Sequence, residues 1–487
     1  MAKYKCLIFA GFLFLLLATK SSASTTPIEI VTIKNYDYVT LKQDLHDLKH
    51  THSDIIDYWV LGQSFYNRDI FVVTLGSGDA VVYIDGSRHG REWISTYITM
   101  KMIEEYAHAI TFGDGIYGEY NVQDILNKVT FYFIPMINPD GVDLTIHGLT
   151  AFPEESHEAL IGMNDGSTDF QRWKANALGI DLNRIWDAGW DEIINSPPGP
   201  SWHNFKGVEP FDQRAVEDLY IRDFVYEIDP EIAVSYHSTG RILYWWWREL
   251  DPSLEDMNFQ IASRVSQLTD YPLFPANRPH TNGGGMTDWF TKEFQRPGLT
   301  PELAPFHYHQ PVELQWFAEE WDRNKYVGLS VAEEAYKLWW ERNDMKNHWA
   351  YEAYMNLYNE NIITEEYLDL TRTIKFPEFL ELLHAASISS NVEIEKQSFH
   401  RLDLARIAND IINPNIPTIN YVTNYAHYTA MFRNLKTVYF PHKMVHTVAV
   451  NKLRFNNVNQ DFLPYMPVSM AEVIDLLNKI ITDDDLL

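Results

Sequence analysis

A single cysteine, Cys6, stands in a chain of 487 residues. Beyond it there can be no disulfide, thiol nucleophile or thiolate metal site. Positive charge is scarce too. Lysine and arginine number 39 against 67 aspartates and glutamates, a formal net charge of −28. Such a surface does not track phosphate backbones, so nucleic acid is excluded as a partner. Glycine runs out early, since none follows Gly328. The long apolar run "CLIFAGFLFLLLA", Cys6 to Ala18, lies at the N-terminus. Lys3 and Lys5 precede it and "SSAS" follows, the layout of a signal peptide (residues 1–23) cut after Ala23. The run is short for a membrane span. The expectation is a secreted chain with no stable span after cleavage.

Apolar residues make up 46% of the chain, ample for a packed core. The length suits one large domain and a smaller one. From Tyr38 to Trp340, helical and strand patterns alternate. Tyr36 to His52 has apolar residues at helical spacing. "DIFVVTLGSG" and "AVVYIDGS" are β-branched runs bounded by glycine and read as strands. "WISTYITMKMIEEYAHAI" reads as a helix, "KVTFYFIPMINPDG" as a buried strand ending in a turn. "EIAVSYHSTG" and "PGLTPELAP" read as strand ends, and Phe317 to Asn343 as one long helix. This alternation predicts an α/β domain with a mixed sheet, whose ligands gather beyond the strand ends. Near Asp344 the pattern turns to short helices. The expected division is a domain over 24–343 and a smaller, mainly helical region over 344–487.

His89 and Glu92 follow the strand "AVVYIDG" and share one side of a helical turn. Zinc takes imidazole nitrogen and carboxylate oxygen, and a catalytic site needs three protein ligands. His237, also at the end of an apolar strand, is the best third candidate. With 18 histidines, a His-x-x-Glu pair alone is equally a buried histidine beside an ordinary acid. Arg184, after Asn183, offers a fork suited to a carboxylate or an ordinary salt bridge. Glu302 ends a buried run, where a carboxylate needs a partner or a task.

Six motifs occur in order: "HGREWIS", "INPDG", "RWKANALGIDLNRIWD", "SYHSTG", "GGGMTDW" and "LTPEL". Together they resemble the zinc metallocarboxypeptidase family of the carboxypeptidase A type, closest to its bacterial branch. The resemblance implies a mixed eight-stranded sheet flanked by helices. It implies one zinc ion on His89, Glu92 and His237, with Glu302 as general acid and base. It places Asn183 and Arg184 on the substrate's terminal carboxylate, and "INPDG" as scaffold. Two positions depart from the family's animal members. Lys174 follows Trp173 where an arginine stabilises the oxyanion, and His280 stands where a mobile tyrosine is expected. Thr287, just before the Asp-Trp pair, falls on the side-chain pocket and favours a neutral residue. Trp245, Trp246 or Trp247 is a candidate pocket wall. The short stretch after the cleavage site predicts activity without proteolytic activation.

The C-terminal region resembles degenerate S-layer homology repeats at "IKFPEF", "HRLDLA" and "VSMAEV". They leave open a module binding cell-wall polymer or a helical appendage. Three functions follow. The first is a secreted carboxypeptidase acting on peptides. The second is a cell-wall γ-D-glutamyl-diamino-acid peptidase. The third is a non-catalytic wall-binding scaffold, disfavoured by the full set of ligands and Glu302.

Overall fold

The computed structural model describes residues 29–32, 34–209, 211, 215–276, 283–307, 309–348, 350–388, 404 and 468–482. The signal segment, His280 and most of "HRLDLA" lie outside the described residues.

The strands are β1 (Ile56–Gln63), β2 (Asp69–Leu75), β3 (Ala80–Asp85), a short hairpin of β4 (Ile116–Tyr117) and β5 (Tyr120–Asn121), β6 (Val129–Ile134), β7 (Ile232–Ser235), β8 (His237–Ser238), β9 (Ile242–Tyr244) and β10 (Gly298–Leu303). Apart from the hairpin they form one eight-stranded sheet in the order β1-β2-β6-β3-β7-β10-β8, with β9 on β10. β3 runs parallel to both β6 and β7, while β1, β2 and β9 make antiparallel pairings. The sheet is therefore mixed, as expected.

β3 has helices over both faces, which is why it reads as a nearly unbroken apolar run. Val82 and Ile84 enter one core, with Tyr97 and Ile98 of the helix Ile94–Thr111 and Leu329 of Val327–Arg342. Tyr83 points the other way, to Ile221 of Val216–Ile228 and Phe290 of Met286–Phe294. The period of two along the strand separates the two layers.

Two expectations need correction. β1 was not anticipated, because its exposed positions hide the apolar pattern. The long helix from Phe317 is two helices, Phe317–Asn324 and Val327–Arg342. At the break, the Tyr106 hydroxyl donates to the Lys325 carbonyl at 2.9 Å, taking an acceptor that a continuous helix would use itself. Gly328 lets the second helix pass this ring, since a Cβ there would lie 2.8 Å from the Tyr106 oxygen.

The C-terminal region contributes the helices Tyr351–Asn359, Phe376–Ala385 and Met470–Thr482. Thr373 and Ser469 form an antiparallel bridge, so "IKFPEF" and "VSMAEV" lie side by side. Ser469 and Glu472 cap the last helix reciprocally, each side chain accepting from the other's backbone N–H. The Trp340 indole donates to the Leu368 carbonyl at 2.9 Å and joins this region to the α/β body.

Beneath the sheet's second face, Arg88 is fully buried between Asp85 at 2.7 Å and Asp218 at 2.6 Å. The adjacent Glu217 has no such partner. One oxygen accepts from the Asn176 amide at 3.2 Å and the other has no hydrogen bond. Burial pushes its carboxyl up to about 8. The folded state then holds a proton that the unfolded chain releases near pH 4.5. Stability contributed here is present at low pH and lost as pH rises toward about 8. Glu217→Gln should remove that dependence. Its stability relative to the parent should rise with pH, by at least about 1 kcal/mol between roughly pH 5 and 9, in denaturant titrations. A pH-independent difference would mean that Glu217 is ionised in the folded protein.

Candidate metal centre and substrate cleft

His89 lies four residues beyond the end of β3, and β8 begins at His237. β10 runs parallel to β8 and sets Glu302 beside His237 in register. All three thus sit at the strand ends of one sheet. The turn after β3 is held by Asn138, whose amide donates to the Arg88 and Ala175 carbonyls at 3.0 Å each. "INPDG" is therefore scaffold that ties the His89 turn to the segment carrying Lys174. Gly90 is needed for this packing, since a Cβ would collide with the Gly141 backbone.

Three side chains converge at the turn. His89 Nδ1 lies 2.9 Å from Glu92 Oε1, His237 Nδ1 lies 2.8 Å from Glu92 Oε2, and the two Nδ1 atoms are 3.1 Å apart. They are the group of potential metal ligands found among the described residues. The outer nitrogens assign the tautomers. His89 Nε2 faces the Asp181 carboxylate at 2.9 Å, which can only accept, so Nε2 carries the proton and Nδ1 is bare. His237 Nε2 points at Ser235 Oγ, 3.5 Å away, and that hydroxyl donates to Asp85 at 2.6 Å. Two lone pairs and a carboxylate this close repel unless a cation lies among them. Two imidazoles, one carboxylate and carboxylate-backed outer nitrogens fit zinc with an open position.

The surrounding charges agree. Burial lowers the proton affinity of His89, keeping it neutral as a ligand must be. Burial works against the charge of Glu92, and the facing His89 and His237 rings hold its carboxyl well below the usual range only while they carry a proton at Nδ1, a place that a cation takes over when bound. Asp181 also pairs with Lys174 Nζ at 2.8 Å. Burial works against its charge, yet Lys174 and His89 keep it ionised.

A cleft of about 410 Å³ opens beside this group. Lys174, Asn183, Arg184, Thr287 and Glu302 all line it, so every described candidate other than the tryptophans is brought to one place. Asn183 accepts from the Met286 N–H at 3.0 Å, and Arg184 donates through Nη1 to the Asn183 carbonyl at 2.6 Å. Thr287 bonds to the Thr300 hydroxyl at 2.7 Å. Burial, and next the Glu92 charge, push Glu302 up to about 8.

The tryptophan run does not wall the cleft. Trp245 and Trp247 are core, with relative exposures of 5% and 1%. Tyr244 takes that place, stacked on Phe274 at 4.7 Å between ring centres. Strand alternation through β9 could have indicated Tyr244; nothing local marks Phe274. Two carboxylates were also missed. Asp181 was legible as the acid two residues before Asn183. Asp288 lines the cleft near Arg184, and burial pushes it up to about 7.

Residues 41–356 match the family described as zinc carboxypeptidase. The gamma-D-glutamyl-L-diamino acid endopeptidase 1 of Lysinibacillus sphaericus is 32% identical over 272 residues, covering 56% of this chain and 66% of that protein. The carboxypeptidase B of Astacus astacus is 26% identical over 269 residues, 52% of this chain and 80% of that one. In three dimensions the chain is similar to thrombin activatable fibrinolysis inhibitor, with a TM-score of 0.51 at 15% identity, over 65% of this chain and 80% of that one. At that identity the likeness is one of fold.

Asp181→Asn keeps the shape but can present an amide to His89 Nε2 in place of an obligate acceptor. We expect zinc affinity, measured by competition with a chelator, to fall about 10–100-fold. Unchanged affinity would show that Asp181 does not orient the ligand.

Proposed function

The chain belongs to the zinc carboxypeptidase family, and from that premise we propose that it hydrolyses the amide bond of a terminal residue whose free carboxylate rests on Arg184. The observation carrying this reading is the convergence of Arg184, Glu302 and the His89, Glu92 and His237 group on one cleft. Bound zinc supplies polarisation of the scissile carbonyl and acidification of a water. The chain's own residues do the rest. Glu302, as carboxylate, takes a proton from the attacking water and returns it to the leaving amine. Its burial makes it a stronger base than an exposed glutamate. Lys174 lends positive charge to the developing oxyanion, without the planar fork of an arginine. Arg184 and Asn183 hold the leaving residue's carboxylate and fix the register of cleavage. Thr287, Asp288 and Tyr244 then line the space for its side chain. The N-terminal signal pattern supports action outside the cell.

A second reading has a specific support. The relative from Lysinibacillus is named for γ-D-glutamyl-diamino-acid bonds. The same site serves that bond, because the chemistry at the carbonyl is unchanged. Mass spectrometry of products from a peptide library and from cell-wall peptides separates the two readings.

Glu302→Gln should lower kcat/KM about 10²–10⁴-fold while zinc content stays at the parent level. Full hydrolysis by this variant would overturn the assignment. Activity should rise with pH as Glu302 ionises. The limb should lie below about pH 8, since a bound cation pulls that carboxyl down. A pH–rate profile of kcat/KM checks this. Arg184→Met should raise KM most for substrates with a free terminal carboxylate; an equal effect on amidated peptides would refute that contact.

A further inference from the structure

β8 and β9 are joined by the turn 239–241, and both strands lie on β10 at one residue. Glu302 is in register with His237 of β8 and with Ile242 of β9. The turn therefore closes around the end of β10, and a Cβ on Gly240 would stand 3.8 Å from the Glu302 Cβ. β10 runs on beneath this turn into the rim of the cleft, which carries Phe306, His307, His309 and Gln310. The Gly240 N–H donates to the Ala304 carbonyl at 2.9 Å, and the His307 N–H donates to the Thr239 hydroxyl at 2.9 Å. The start of the rim is thus pinned to the turn.

Its far end is pinned by the same turn. Arg241 has a φ of +47°, a conformation that a residue with a side chain keeps only where its surroundings hold it. Glu320, on the helix Phe317–Asn324, does so. Arg241 Nε and Nη2 donate to Glu320 Oε1 at 2.9 and 2.7 Å, and the guanidinium lies over the Trp316 ring at 5.4 Å. Glu320 is fully buried, and its other oxygen accepts from the Tyr271 hydroxyl, to which the Asn324 amide donates at 3.1 Å. Three consecutive residues thus clasp both ends of the segment 304–320. Arg241 itself stands outside the lining of the cleft. The charges that act on His309 come from Arg91, Lys174 and Arg172, so the rim lies on the Lys174 side. A peptide anchored at Arg184 meets it with the residues ahead of the scissile bond.

We propose that Arg241 is a positioning residue: through Glu320 it fixes the far end of the rim, and so sets how tightly the rim holds a peptide. This rests on the reading that the cleft hydrolyses a peptide anchored at Arg184. Glu302 is held by strand pairing on both sides, so the effect falls on substrate binding and not on proton transfer.

Arg241→Gln alone leaves the buried Glu320 charge without its cation, which is costly for folding. The double variant Arg241→Gln with Glu320→Gln removes both charges and carries the test beside it, in the full-length protein. With a pentapeptide substrate, KM should rise about tenfold while kcat stays within about twofold of the parent. The rise should be smaller for an N-acylated dipeptide, which has less chain to lay along the rim. Zinc content should equal the parent's, and the double variant should raise KM no more than Arg241→Gln does, because both remove one contact. An unchanged KM in the double variant would overturn the proposal. So would a fall in kcat alone, the mark of a smaller folded fraction. Hydrogen exchange read by mass spectrometry gives a measure independent of activity. Residues 304–320 should exchange faster in the double variant while β3 and β7 keep the parent's rate, and equal exchange at the rim would refute the clasp. Failure of the hydrolytic reading is distinct, because the parent would then cleave no peptide while hydrogen exchange still judged the clasp.

Discussion

The buried carboxylate of Asp181 is the interaction on which the site depends. It accepts from His89 Nε2 at 2.9 Å, Lys174 Nζ at 2.8 Å and the backbone N–H groups of Asn183 and Asn204 at 3.0 and 3.1 Å. One side chain thus orients a metal ligand, anchors the cleft's lysine and shapes the loop that presents Asn183 and Arg184. A buried charge is costly unless it is fully engaged. Four donors meet that need, and the same bonds fix the lysine and the imidazole at the cleft.

His237 has a parallel arrangement on the other side. Ser235 and Asp85 back its outer nitrogen, and Asp85 is itself paired with the buried Arg88. Arg88 reaches on to Asp218 on the helix Val216–Ile228. Both imidazoles are therefore oriented by carboxylates fixed in the body of the fold. The sheet supplies the precision, since β3, β7 and β8 carry or flank Asp85, Arg88, His89, Ser235 and His237.

The cleft differs from the protein around it. A strongly acidic chain repels anions in general, and exposed charges are screened over about 8–10 Å in physiological salt. Arg91, Lys174 and Arg184 nonetheless place three cationic side chains in the lining of the cleft.

Much of the site was legible because its residues fall at the ends of β-branched, glycine-bounded runs. His89 with Glu92, His237 and Glu302 each follow or end such a run, and the ordered motifs supplied the fold that joins them. The short range of sequence patterns limits the rest. β1 was missed because its exposed positions break the alternation. The helix from Phe317 was read as continuous because the Tyr106 hydroxyl that interrupts it lies 219 residues away in sequence. Tyr244 with Phe274, and the neighbours of Arg91, depend on loops meeting across the cleft. By itself, the sequence determined the α/β class, the residues able to hold a cation and the acid able to move a proton, because local pattern sets strand ends and side-chain type sets chemistry. Tertiary structure alone decided that the two Nδ1 atoms face one carboxylate, and that Asp181 joins His89 to Lys174. Those are distances between remote segments, and only packing of the sheet against its helices brings them within a hydrogen bond's reach.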